Sequence, residues 1–147
     1  MDAWEVEARA EIAALVTAYN ALGDRGRFDE LLALFADDAT MDIGDGATYE
    51  GRGSIEQIFT GTRDSVRENS GPSFLQHHTS PIHVSFEDDG HAYGDAYFTV
   101  MSDRGIDHWG RYHDTYLRIA DAWRFGSRRV RVDGRTPGGW ADRRLGS

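Results

Sequence analysis

The hydrophobic period of this chain changes once, at Asn69-Ser70-Gly71-Pro72, and that change narrows the folds open to it. Upstream, apolar residues recur every three or four positions; downstream they alternate between turn signals. Trp4, Ala8, Ile12, Leu15, Val16, Tyr19 and Leu22 form one wide helical stripe that Gly23 is expected to end. After an Asp24-Arg25-Gly26-Arg27 corner, Phe28, Leu31, Leu32, Leu34 and Phe35 predict a second helix closed by Asp37-Asp38. Short strands follow at Thr40–Ile43 and Thr48-Tyr49, then a third helix capped by Ser54 and packed through Ile55, Ile58, Phe59 and Val66. The rest reads as long strands: Phe74–Phe86 with a bulge at Pro81, Ala92–Val100, Trp109–Ile119 and Trp123–Val132. Helices first and a meandering sheet last predict an α+β domain over residues 1–133, with an irregular tail over 134–147.

Composition removes several chemistries. The chain has no cysteine, so disulfides, thiolate catalysis and cysteine-held metals are excluded. A net charge of −9 opposes a duplex nucleic-acid surface, although Arg124, Arg128, Arg129, Arg131 and Arg135 cluster late in the chain. No glycine-rich phosphate loop, dinucleotide fingerprint or serine elbow is present. The acidic start, Met1-Asp2-Ala3-Trp4-Glu5, is unlike a signal peptide, and no apolar run approaches the ~20 residues that cross a bilayer. The expected address is the cytoplasm, with no membrane or nucleic-acid partner.

Three places carry polar residues that could do chemistry. Asp24 follows Tyr19 by five positions at the end of the first helix, where both side chains can turn inward; a solvated turn aspartate is the bland alternative. His77 and His78 are strand neighbours, so they point to opposite faces, and one of them must meet the helices. Ile82, Val84 and Phe86 share parity with His78, so His77 faces inward only if a bulge near Pro81 resets the phase. In Gly110–Tyr116, Tyr112, Asp114 and Tyr116 share one face, a suitable pocket wall for a ligand. An Asp114–Arg129 pair across strands is the structural alternative for that wall. His83, His91, His108 and His113 are scattered without metal-ligand spacing, so no metal is expected.

The segments Tyr19–Asp29, Leu34–Ala39, Gln76-His77-His78, Gly110–Asp114, Trp123–Phe125 and Arg128–Val130 together resemble the SnoaL-like branch of the NTF2-like superfamily. The resemblance spans about residues 5–133 and extends to scytalone dehydratase-like and bile-acid 7α-dehydratase-like members. It implies an NTF2-like (cystatin-like) cone, with three N-terminal helices packed on a strongly curved, mostly antiparallel sheet. By the same resemblance His77 is the proton carrier, Asp24 its orienting partner and Tyr19 the upstream tyrosine. A second strand histidine of scytalone dehydratase has no counterpart in Gly94-Asp95-Ala96-Tyr97. The implied activity is cofactor-free dehydration or isomerisation of an apolar, polyketide- or steroid-like carbonyl compound. Tyr19, Tyr112, Asp114 and Arg129 are the expected substrate-binding residues. A polyketide cyclase, an epoxide-opening enzyme and a non-catalytic binding domain are the alternatives on the same fold. Association as a homodimer or homotrimer through the outer sheet face is expected, with Trp109 or Trp123 at the contact.

Overall fold

A computed structural model describes residues 1–68 and 70–145. Asn69 of the predicted stop and Gly146-Ser147 of the predicted tail lie outside the described residues. The order is α1 (Ala3–Asp24), α2 (Phe28–Leu32), β1 (Phe35–Asp42), β2 (Tyr49–Glu50), α3 (Gly51–Val66), β3 (Leu75–Thr79), β4 (His83–Asp88), β5 (His91–Ser102), β6 (Gly105–Ile119), β7 (Ala122–Arg135) and α4 (Trp140–Leu145). The strands form one sheet in the order β2-β1-β7-β6-β5-β3, with β4 paired to β5 beside β3. Every pairing is antiparallel except β1 with β7. Bulges at Val100/Met101, Trp109/Gly110 and Thr115/Tyr116 bend the three long strands, and a bent sheet presents a concave face that helices can cover.

Alternation supplies that face. Along β5, Ala92, Gly94, Ala96, Phe98 and Val100 are buried while Tyr93, Asp95 and Tyr97 are exposed. The α1 residues Ile12, Leu15, Val16 and Tyr19 pack into the concavity with Leu31, Phe35, Ile55, Tyr116 and Phe125. Each such fully buried large side chain contributes about 1.5–3 kcal/mol of transfer free energy, so this layer dominates the stability of the fold. A smaller cluster joins Phe98, Val100 and Tyr112, with Leu75, Val130 and Val132 packed against it.

Five local expectations are corrected. First, α1 runs through Gly23 to Asp24, because the left-handed terminal position belongs to Gly26 (φ +71°). Arg27 N–H donates to Leu22 O and Gly26 N–H to Gly23 O, the paired bonds of a Schellman terminus. Second, α2 stops at Leu32 and Phe35 opens β1 instead; Phe125 N–H donates to Leu34 O and draws the chain into the sheet. Third, α3 starts at Gly51 with Ser54 inside its first turn and no side-chain cap. Arg52 fixes that start by donating to Phe35 O and pairing with Asp37 at 2.9 Å. Fourth, the strand predicted over Phe74–Phe86 is two strands, broken at Ser80-Pro81-Ile82. Fifth, the tail is not irregular throughout: β7 extends to Arg135, and α4 follows after a turn.

Candidate active site

The last turn of α1 delivers Asp24 to the edge of β3. There one carboxylate oxygen accepts His77 Nδ1–H at 2.7 Å and the other accepts the His77 backbone N–H at 3.0 Å. A carboxylate only accepts, so the neutral ring carries its proton on Nδ1 and leaves Nε2 as a lone pair. Two bonds from one carboxylate to one residue fix both the position of the strand and the rotation of the ring. Asn20, one turn earlier, donates to Thr79 Oγ1 at 2.7 Å and ties the same helix to the same strand. Both members of the dyad are partly exposed.

The break at Pro81 decides which histidine faces inward. In β3, Thr79 lies opposite Phe98, and in β4, His83 lies opposite Asp95. Four residues on one side therefore span three on the other, and this extra residue inverts the parity. His77 and Val84 consequently both face the interior, while His78 is exposed and, among the described residues, its side chain bonds only to Gln76.

The dyad opens on a cavity of about 480 Å³ between α1, α3, α4 and the sheet. Its lining is largely apolar and aromatic, with Phe28, Phe59, Phe98, Tyr112 and Trp140 around it; Asp24 is its only acidic residue among the described ones. Tyr19 and Tyr112 both line it. Burial pushes both phenols above their ordinary range, so both remain O–H donors at neutral pH. The Tyr112 ring stacks on Phe98 at 4.6 Å and meets Tyr19 edge-on at 6.2 Å.

Asp114 and Arg129 stand elsewhere, which corrects their expected place among the substrate-binding residues. Asp114 is buried behind the tyrosines, where Arg128 donates to it through two bonds of 2.8 and 2.9 Å and Tyr116 donates through a third of 2.7 Å. Asp114 and Arg128 are register partners, and directly opposite residues share a face; Arg129 therefore points outward and is exposed. The Arg128 guanidinium lies 3.7 Å from the Tyr112 ring centre and 4.2 Å from that of Tyr19, so this sealed cation supports both tyrosines from below.

The sequence reading missed a second pair at the cavity, Asp107 and His108. Asp107 accepts His108 Nδ1–H at 2.7 Å and also the backbone N–H groups of Trp140 and Ala141 at 2.7 and 3.1 Å. The adjacent Asp-His dipeptide just before the strand predicted from Trp109 was the available signal. No group of three or more metal-ligating side chains occurs among the described residues.

Comparison with known proteins agrees with this architecture. The SnoaL-like domain family matches residues 4–129, and the chain belongs to that family. Among solved structures, a candidate scytalone dehydratase from Novosphingobium aromaticivorans is 20% identical over 92% of this chain and 91% of its own, with a TM-score of 0.80. The LinA-type3 hexachlorocyclohexane dehydrochlorinase of Novosphingobium barchaimii is 18% identical over 93% and 94%, with a TM-score of 0.79. An NTF2-like protein of cystatin-like fold from Novosphingobium aromaticivorans is 24% identical over 95% and 89%, with a TM-score of 0.76. These likenesses establish the NTF2-like (cystatin-like) fold. No curated protein matches the chain. No described helix is long and apolar enough to cross a membrane.

Proposed function

We propose that this protein is a cofactor-independent dehydratase or isomerase of apolar carbonyl compounds. One observation carries the reading: a histidine held at Nδ1 and at its backbone by a single carboxylate, on the wall of an aromatic cavity. In this reading His77 Nε2 takes a proton from the carbon next to the carbonyl. The C–H electron pair moves into an enolate, whose oxygen accepts a hydrogen bond from the Tyr112 or Tyr19 hydroxyl. Asp24 stabilises the imidazolium that results, and the C-terminal end of α1 adds its own negative potential there. In dehydration the enolate collapses, the C–O bond of a β-hydroxyl breaks, and the leaving oxygen takes the Nε2 proton to depart as water. In isomerisation the same proton returns to a different carbon. The similar candidate scytalone dehydratase and the dehydrochlorinase support an elimination, since both names describe loss of a small molecule across two carbons.

Epoxide opening is less well supported, because it calls for more than one free carboxylate and Asp24 is already committed to His77. The substrate is proposed to be polyketide- or steroid-like in its rings. The protein is proposed to act in the cytoplasm as a homodimer or homotrimer.

Solvent-deuterium uptake tests proton abstraction before the natural substrate is identified. With 1-tetralone in D₂O, the wild-type protein is expected to accelerate exchange at the α-carbon. His77→Gln and Asp24→Asn should lose about two to four orders of magnitude of that rate with folding intact. Undiminished exchange in His77→Gln, or none in the wild type, would sink the reading.

A further inference from the structure

The Asp107–His108 pair is not used by the mechanism above, yet its histidine lines the same cavity. In the sheet, Val100 of β5 lies opposite His77 on one side and His108 on the other. The two histidines therefore stand in one row with a single strand between them. Two strand spacings put their backbones roughly 10 Å apart. Each has Nδ1 bound to its own aspartate, at 2.7 Å in both cases.

The two pairs differ in their surroundings. Where Asp24–His77 is partly exposed, Asp107 and His108 are buried, at 4% and 8%. The His108 ring sits between Phe98 and Trp140, each with its ring centre 5.9 Å away. Burial pushes the His108 pKa below its ordinary value, outweighing the hydrogen bond and charge of Asp107, which act the other way. The ring is therefore neutral at pH 7. Because Asp107 accepts the Nδ1 proton, Nε2 is a lone pair: an acceptor that cannot donate. It has no hydrogen-bond partner among the described residues, and His108 lines the cavity.

We propose that His108, locked by Asp107, is the specificity-determining anchor of this cavity, accepting a hydrogen bond from a phenolic or enolic hydroxyl at the end of the ligand remote from His77. The occupant is then a ring compound spanning the two histidines, with the carbonyl near His77 and a hydroxyl at His108. The proposal rests on the cavity being a substrate site. It deepens that reading by naming a chemical class. An acceptor with no protein partner discriminates strongly, because a ligand lacking the hydroxyl buries Nε2 unpaired.

Two probes of matched shape test it: 6-hydroxy-1-tetralone and 6-methyl-1-tetralone, with binding measured by calorimetry. Wild type is expected to prefer the hydroxy compound by about tenfold or more. His108→Phe should erase that preference, whereas His77→Gln should retain it even though it loses deuterium exchange. A second readout uses the unaltered protein with ¹⁵N-labelled histidine. The hydroxy probe should shift the His108 Nε2 resonance as that atom accepts a hydrogen bond, and the methyl probe should leave it in place. Equal affinities, a preference that survives His108→Phe, an unmoved Nε2 resonance or no binding of either probe would overturn the proposal. If His108 served only to hold Asp107 against α4, its loss would lower stability without changing the ratio of the two affinities. Failure of the exchange assay with the preference intact would overturn the proposed chemistry alone.

Discussion

Arg128 is the most buried charged side chain in the described structure, at 1% exposure, and its neutralisation is a problem of individual atoms. Asp114 takes two of its N–H groups, the faces of Tyr19, Tyr112 and Phe125 surround the guanidinium, and Nη1 has no partner among the described residues. Removing one charge of such a pair leaves the other stranded in a medium that solvates it poorly. Asp114→Ala is therefore expected to cost about 3–5 kcal/mol, read by urea denaturation. The double replacement Asp114→Leu with Arg128→Met should recover most of that loss, since two apolar residues of similar volume leave no charge behind. Additive losses in the double variant would show that the pair is not the source of the cost. Alternation along β6 was enough to put Tyr112, Asp114 and Tyr116 on one face from sequence. Arg128 was harder to separate from Arg129, because the run Arg128-Arg129 reads alike in either register and its phase depends on the bulge at Thr115/Tyr116. Asp107 and His108 escaped because their importance comes from α4, which reaches them from more than thirty residues away in sequence.

Element termini set the geometry of the candidate site. α1 ends where it does because Gly26 adopts φ +71°, a conformation in which a Cβ would cost about 1–2 kcal/mol. No atom would crowd a Cβ at Gly26, so Gly26→Ala isolates backbone strain from packing. The variant should lose about 1 kcal/mol in urea denaturation and slow deuterium exchange as well, since Asp24 lies two residues upstream. Gly23→Ala should do neither to the same degree; its Cβ would meet only Leu31 Cδ2, at an ordinary 3.8 Å. Equal stability losses for the two alanine variants would refute this account of the helix end. Sequence alone located the helix end to within a residue but chose the wrong glycine. Either glycine can terminate a helix, and the choice falls to the partner that packs on the last turn, here β3 through Asp24 and His77. Pro81 was legible as a possible bulge; that it splits one strand into two follows from β5, which accepts both pieces on one edge.

At the scale of the whole molecule, the two faces of the sheet differ in what they leave uncovered. The concave face is occupied by helices and by the cavity, whereas the convex face meets solvent. The convex face carries Tyr97 at 70% exposure and Trp109 at 41%. In the β5–β6 register Tyr97 lies opposite Arg111 and Thr99 opposite Trp109, so the two aromatic side chains are diagonal neighbours within reach of each other. The Trp109 ring packs over Gly134, where an added Cβ would come within 2.3 Å of it. Trp123, expected at the same surface, is instead 4% exposed and packs with Phe86 in the core. The expected contact is thereby reduced to Trp109 and its neighbours. An exposed aromatic patch on this face is suited to a second copy of itself, because association removes apolar area from water while the flanking Arg111–Asp133 pair stays wet at the rim. Light scattering at micromolar concentration is expected to give a multiple of the 16.4 kDa chain mass. Tyr97→Lys combined with Trp109→Lys should reduce that to a single chain, since lysines brought together across a symmetric contact repel and remain solvated apart. Both substitutions lie on the face away from the cavity, so the dissociated variant should still take up deuterium in the exchange assay. A single-chain mass for the wild-type protein would remove the convex face as an interface.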